Sequence, residues 1–405
     1  MRKRIVPSAF MLLAAGCLWV HSLTICAAEN NETEQGEAIS EDGENTQNIE
    51  NMEDMRNIEN MQSMEDMQNL ESMEDMRNIE IIQNMENMQN VEDREAMEGG
   101  EDIVGREEPT SIAIPVSDAV YSNPYNPYSE LKVPSQIVKL GGYYIIADTY
   151  RDQIIYAMNL TTPIKEWQVM TSDTKLPHAV AGDGDVYLVA DTENNRVLVF
   201  EWAYGRFQNT QRLEHIGERP HYMEYDEETD SFFVWSSMTG EMYILKKEPQ
   251  SGRIYLSEIR RVEELEHFYV RSFTICGDRI LFPSGTNGYV IVADKQTFEV
   301  LERYPVSPEI AGMAFILPIG NAVYMTVSTD LYGNQDAATM IRADDLTALA
   351  DGQYEEVYKV FDTSGVPYYI NNINGIFYMT NHCGDKQVLR FRSDADTLIS
   401  EGALF

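Results

Sequence analysis

Most of this 405-residue chain predicts an all-β fold, a six-bladed β-propeller, on three observations. Pro134, Pro177 and Pro220 stand 43 residues apart, the length of one four-stranded blade. Superposed on that spacing, Ala147-Asp148-Thr149 falls over Ala190-Asp191-Thr192, and Ile154-Ile155 over Val197-Leu198. Six such copies then fill residues 111–405 almost without remainder.

The chain opens with Arg2, Lys3 and Arg4, an apolar run from Ile5 to Ile25, and small residues at Cys26, Ala27 and Ala28. A basic start, an apolar core and a small-residue exit read as a secretory signal peptide over residues 1–28. The length of the run leaves a retained membrane anchor as the alternative. Leu13-Ala14-Ala15-Gly16-Cys17 also has the form of a lipobox, which would put a lipid anchor on Cys17. Either outcome places the protein outside the cytoplasm, secreted or on the cell surface, with envelope association through this segment.

Residues 29–110 carry 26 acidic and four basic residues, a net charge of about −22. Within them the chain is written in triplets, with an apolar residue at every third place: Ile49, Met52, Met55, Ile58, Met61, Met64. A helix turns 100° per residue, so a three-residue step drifts by about 60° each time and the apolar stripe never makes one face. Coiled coils need a period near 3.5. The segment is therefore expected to be a low-complexity, solvated and disordered spacer; a methionine-rich adhesive stalk is the other reading.

Composition changes at Ser111, where aromatic and β-branched residues take over. The stretch Asp185 to Phe200 shows the pattern best: an apolar run through Val186-Ala190, a polar cluster Asp191-Asn195, and a second apolar run Arg196-Phe200. Two strands around an Asx-type turn are the natural result. The spelling VYLVADTENNRVLVF resembles the NHL repeat, and that resemblance implies that the aspartate closes the turn while the Asn-Arg pair holds the corner. The third copy centres on Phe232-Ser236, the fourth runs from Arg271 to Val292, the fifth centres on Val323-Val327, and the sixth spans Gly375-Thr380 and Val388-Phe391. The leading piece Ser111-Ile114 is expected to complete the last blade and close the ring by strand exchange.

Cys17 and Cys26 lie in the leading segment; Cys276 and Cys383 fall in non-adjacent blades, where a disulfide is not expected. The propeller depends on its core rather than on crosslinks. Its balance of 41 acidic to 23 basic residues argues against nucleic acid as a partner.

Equivalent starts of the innermost strands face one another across the axis of a propeller. The repeat offset places Ser135, His178, His221, Arg271 and Tyr368 there. Imidazoles, a guanidinium and a phenol suit a ligand-binding site: Arg pairs carboxylates and phosphates, and Tyr can stack on sugar faces. Arg271 is expected to be an exposed channel residue that contributes little to packing. Leu176-Pro177-His178 and Arg219-Pro220-His221 resemble the Pro-His motifs of peptidylglycine α-amidating lyase, a six-bladed propeller with three zinc-bound histidines. That resemblance makes His178 and His221 weak metal candidates. His382 reads as too far along its strand to join them, which leaves the zinc set incomplete.

Two function classes follow. One is a secreted binding module for a small molecule, glycan or peptide at the central channel. The other is an enzyme of lyase or lactonase type, which would call on zinc or calcium. The sequence commits to no cofactor, and the incomplete metal set favours binding.

Overall fold

The computed structural model describes residues 107–118, 122–394 and 397–405. The expected signal peptide, Cys17 and the triplet repeats lie outside them. Among the described residues no helix is long and apolar enough to cross a membrane.

Six antiparallel sheets follow one another along the chain. Blade one holds Pro134–Leu140, Tyr143–Asp148, Gln153–Ala157 and Gln168–Thr171, and blade two holds Val180–Gly182, Val186–Asp191, Arg196–Ala203 and Arg206–Glu214. Blade three is Pro220–Asp226, Ser231–Ser236, Glu241–Lys247 and Ile254–Arg261; blade four is Thr274–Cys276, Arg279–Ser284, Tyr289–Asp294 and Val300–Pro305. Blade five is Gly312–Ile319, Ala322–Thr329, Thr339–Ala343 and Tyr354–Glu356; blade six is Val366–Ile373, Ile376–His382, Val388–Asp394 and Thr397–Ala403. The chain is a six-bladed β-propeller.

The Asx-type turn forms as the sequence implies. Asp191 is fully buried, and its carboxylate accepts hydrogen bonds from the Lys175 N–H (2.7 Å), Asn194 Nδ2 (3.0 Å) and Arg196 Nε. A short 3-10 turn, Thr192–Asn194, follows, and Asn195 closes it in the left-handed region at φ 52°. Blade one repeats the device: Asp148 accepts from the N–H groups of Lys132 and Val133, and Asp152 takes φ 50°. One buried carboxylate thereby ties each hairpin to the segment that enters its blade. In blade six Asn381 stands at the corresponding corner and bonds Tyr358, Ser364 and Lys386.

Neighbouring blades are joined by hydroxyl-to-carbonyl bonds one repeat apart. Ser135 Oγ donates to the His178 carbonyl at 2.7 Å, Ser272 Oγ to that of Ala314 at 2.7 Å, and Thr326 Oγ1 to that of Tyr368 at 2.7 Å. Large apolar residues fill the gaps between sheets, with Trp167, Trp235, Tyr243 and Tyr324 completely buried.

The ring does not close by strand exchange. Thr110–Ala113 pairs antiparallel with the outer strand of blade two, Thr110 opposite Glu214 and Ala113 opposite Gln211. Blade six instead completes itself with Thr397–Ala403. The pairing on blade two is specific: Gln211 Nε2 donates to Ser111 Oγ, and its amide also brackets the Ile254 backbone in blade three. The chain then straps blades two and one together. Asn123 Oδ1 accepts from the Phe207 N–H and the Tyr156 hydroxyl, the Pro124 carbonyl from the Val169 N–H, and Asn126 N–H donates to the Trp167 carbonyl. Closure between blades six and one rests on side chains: Thr380 Oγ1 donates to the Ser135 carbonyl at 2.7 Å, Gln387 Nε2 to that of Leu131 at 2.9 Å, and Phe405 packs edge-on against Trp167.

Cys276 and Cys383 lie in blades four and six and are not joined by a disulfide.

Candidate binding site at the propeller axis

The segments that enter blades two and three hold unusual backbone. Leu176 and Arg219, each followed by proline, have φ of 47° and 54°. Non-glycine residues adopt this region only when their surroundings impose it. Here the Asp152 carboxylate accepts from the Leu176 N–H at 2.7 Å, and Asn195 Oδ1 from the Arg219 N–H at 2.8 Å. The two left-handed turn residues described above therefore aim the next histidines, His178 and His221, at the axis.

The four residues singled out from sequence come together there. His178 and His221 have ring centroids 3.9 Å apart, and Tyr368 lies 6.5 and 6.4 Å from them. Ser272 is the hydrogen-bonding counterpart of Ser135, so Arg271 stands one place before the aligned position, and its longer side chain makes up the difference. Arg271 is 7% exposed and donates to Ser328 Oγ, which donates onward to the Gly312 carbonyl. It is thus a buried group, not an exposed one, because blade five packs over its guanidinium.

Proton positions in the cluster follow from the partners. The His178 Nδ1–H is shared between the Leu176 carbonyl (2.8 Å) and Thr192 Oγ1 (3.2 Å), which leaves Nε2 as an acceptor. Tyr369 donates its hydroxyl hydrogen to the Arg271 carbonyl at 3.0 Å, so the same oxygen accepts from His221 Nδ1–H at 2.7 Å. His221 Nε2 must then accept, and Tyr269 supplies the O–H at 3.1 Å. Burial pushes both histidines well below the usual imidazole range, and nearby arginines push in the same direction.

Three participants were not read from the sequence as site residues. His382 stacks on Tyr368 at 4.1 Å and is 6% exposed. Its distance along its own strand does not keep it from the site. The second strand runs antiparallel, and Val366 pairs with His382, so the end of one strand lies beside the start of the other. Tyr269 is half-buried, with the guanidinium carbons of Arg271 and Arg219 lying 5.3 and 5.8 Å from its ring centroid. Arg219 is ion-paired with Glu193 at 2.8 Å. The second Pro-His triplet already contains this arginine; Tyr269 precedes its blade and carries no repeat signal.

Below this polar group the axis is filled by aromatic rings from four blades. Tyr222 meets Phe273, Phe315 and Tyr369 at centroid distances of 5.3, 5.4 and 4.9 Å, all of them buried. Tyr369 joins these rings to the polar group, with its ring centroid 4.4 Å from that of Tyr368.

The donors do not suit a three-histidine zinc centre. His178 and His221 stack rather than point at a common centre, and Nε2 of His221 is taken by Tyr269. Among the described residues no group of three or more His, Cys, Asp or Glu side chains is arranged to hold a metal ion.

No protein-family model and no curated protein matches the chain. Among solved structures it is similar to a Bacteroides fragilis protein assigned as a candidate 6-phosphogluconolactonase, at 11% identity over 66% of this chain and 79% of the other, with a TM-score of 0.45. A Bacteroides uniformis protein with the same assignment gives 12% identity over 64% and 81%, with a TM-score of 0.46. Streptogramin B lyase gives 13% identity over 72% and 86%, with a TM-score of 0.44. At these identities the likeness extends to the fold alone.

Proposed function

We propose that the chain is an extracytoplasmic propeller of the NHL-repeat type that binds a small anionic molecule at the axial His-Arg-Tyr cluster. The observation that carries this reading is a permanently charged guanidinium, Arg271, set among imidazoles kept neutral by burial. Such a set offers a positive anchor and several acceptors within one cluster. The cluster residues are more than nine-tenths buried, which holds their side chains in fixed positions. Half-buried Tyr150 and Tyr269, with Arg219 beside them, mark the approach.

Titration calorimetry with gluconate tests the reading. Arg271→Met keeps much of the side-chain volume and removes the charge. Loss of a charge-assisted bond should weaken binding by about 1.5–3 kcal/mol. Unchanged affinity in the variant would mean that the arginine only packs the hub.

A further inference from the structure

We infer that blades one and two carry a second binding surface, a row of exposed aromatic rings around Trp202 that stacks on an uncharged β-linked glycan. The surface shares no residue with the axial cluster and does not depend on the anion-site reading above.

Tyr143 opens the second strand of blade one, which ends at the Asp148 corner, and Trp202 comes near the end of the third strand of blade two, which starts beside the Asp191 corner. Both rings therefore lie at the hairpin ends remote from the corner turns, on the propeller face away from His178 and His221. Three rings buttress Trp202. Tyr143 lies 4.8 Å from it between centroids with planes inclined by 32°, and Phe207 and Tyr156 meet it edge-on at 5.1 and 6.2 Å. These contacts fix the indole, yet 41% of it stays exposed. Tyr143 is half-buried, and Tyr125, 65% exposed, bridges to Gln168 on the outer strand of blade one and lies within electrostatic reach of Tyr156. Neighbouring exposed rings mark an interaction site, and rings already held in place lose little freedom on binding.

The polar groups beside the rings indicate the partner. One end of the Gln168 amide meets the Tyr156 hydroxyl. Its other end, the Tyr143 hydroxyl and the Trp202 Nε1–H bond no protein group among the described residues. Apolar faces edged by unpaired neutral donors and acceptors match a pyranose, whose C–H faces are rimmed by hydroxyls. A β-linked glucan holds every ring hydroxyl near the ring plane and so offers the flattest such faces. An acidic polysaccharide is repelled by a chain of net charge −37. It would also meet Asp183 and Asp185, which already pair with Lys247 and act on Tyr187 at the edge of the same aromatic group.

The probes are cellohexaose, which is uncharged, and hexagalacturonate, which has the same number of rings and a carboxylate on each. Calorimetry on the intact protein should show cellohexaose binding at least about tenfold tighter than the acidic sugar. Trp202→Ala should weaken cellohexaose binding about tenfold, the worth of one aromatic contact, and Arg271→Met should leave it unchanged. Absence of cellohexaose binding, equal affinity for the two sugars, or affinity that survives in Trp202→Ala overturns the inference. Loss of cellohexaose binding in Arg271→Met puts the sugar at the axis and overturns it as well. A sedimenting mass of two chains that falls to one in Trp202→Ala gives the surface to a second copy instead and has the same consequence. Should the alanine variant not fold, NMR of the indole N–H groups of the unmodified protein decides. Cellohexaose should shift the Trp202 signal and leave those of the fully buried Trp167 and Trp235 in place; a Trp202 signal unmoved by bound sugar overturns the inference.

Discussion

The imidazoles of His178 and His221 stack one blade apart with centroids 3.9 Å from each other and planes inclined by 33°. Two protonated rings could not share that geometry. With His382, they make three imidazoles held neutral by burial in the folded chain. In the unfolded chain each takes up a proton near pH 6.5. Unfolding therefore absorbs protons below that pH, and stability falls as pH drops from about 6.5 toward about 3. The slope is up to about 1.4 kcal/mol per pH unit for each histidine. Urea denaturation at neutral and mildly acidic pH should show a clear loss of stability; a flat profile would mean the rings charge in place.

Glu224 works in the opposite sense. Burial pushes its carboxyl up to about 7, with Asp226 adding to the rise while the Ile275 N–H and Lys295 oppose it. The folded chain thus holds a proton that the unfolded chain releases near pH 4.3. Stability falls as pH rises through that interval, and the cost persists above it. Glu224→Gln should raise stability by about 1–3 kcal/mol near pH 8 and change it little near pH 4. Equal denaturation midpoints for the two proteins near pH 8 would contradict the assignment.

Asp191 is the corner of its hairpin. Replacement by alanine strands the Lys175 N–H and leaves the Arg196 guanidinium with Asp173 alone. The expected loss is about 3–5 kcal/mol, as for other broken buried pairs. Thermal or urea unfolding measures it. A loss within about 0.5 kcal/mol, typical of surface changes, would show that the turn stands without its carboxylate.

These predictions separate what the sequence displayed from what it concealed. The Asp191 turn and the Pro-His triplets are local and repeat at a constant offset, so six blades and the meeting of His178, His221, Arg271 and Tyr368 could be read directly. His382 could not, because its place depends on strand pairing that brings Val366 beside it. The ring closure was hidden for a related reason. Thr397–Ala403 has no buried residue, and its exposure does not follow a strand's usual alternation. With that strand unrecognised, Ser111-Ile114 became the only apparent candidate to complete blade six. Its actual partner is selected by Gln211, about a hundred positions away.

That leading strand provides a further test. A chain beginning at Ser122 rather than Glu107 should lose about 1–2 kcal/mol, the net worth of two or three hydrogen bonds. It should also self-associate, because the outer edge of blade two is left open. Denaturation and sedimentation measure the two effects. Unaltered midpoint and mass would mean that Thr110–Ala113 merely rests on the rim.

Because blade six finishes with its own fourth strand, the four main strands of every blade are consecutive in the chain, and only the fifth strand that Thr110–Ala113 adds to blade two comes from elsewhere. In propellers closed by strand exchange, one blade is shared between the two chain ends, and that blade cannot be copied or moved as a single piece. Here the genetic unit and the structural unit coincide. Duplication or deletion of one contiguous repeat exchanges a whole blade, and the links between blades are natural places for a circularly permuted chain to begin and end.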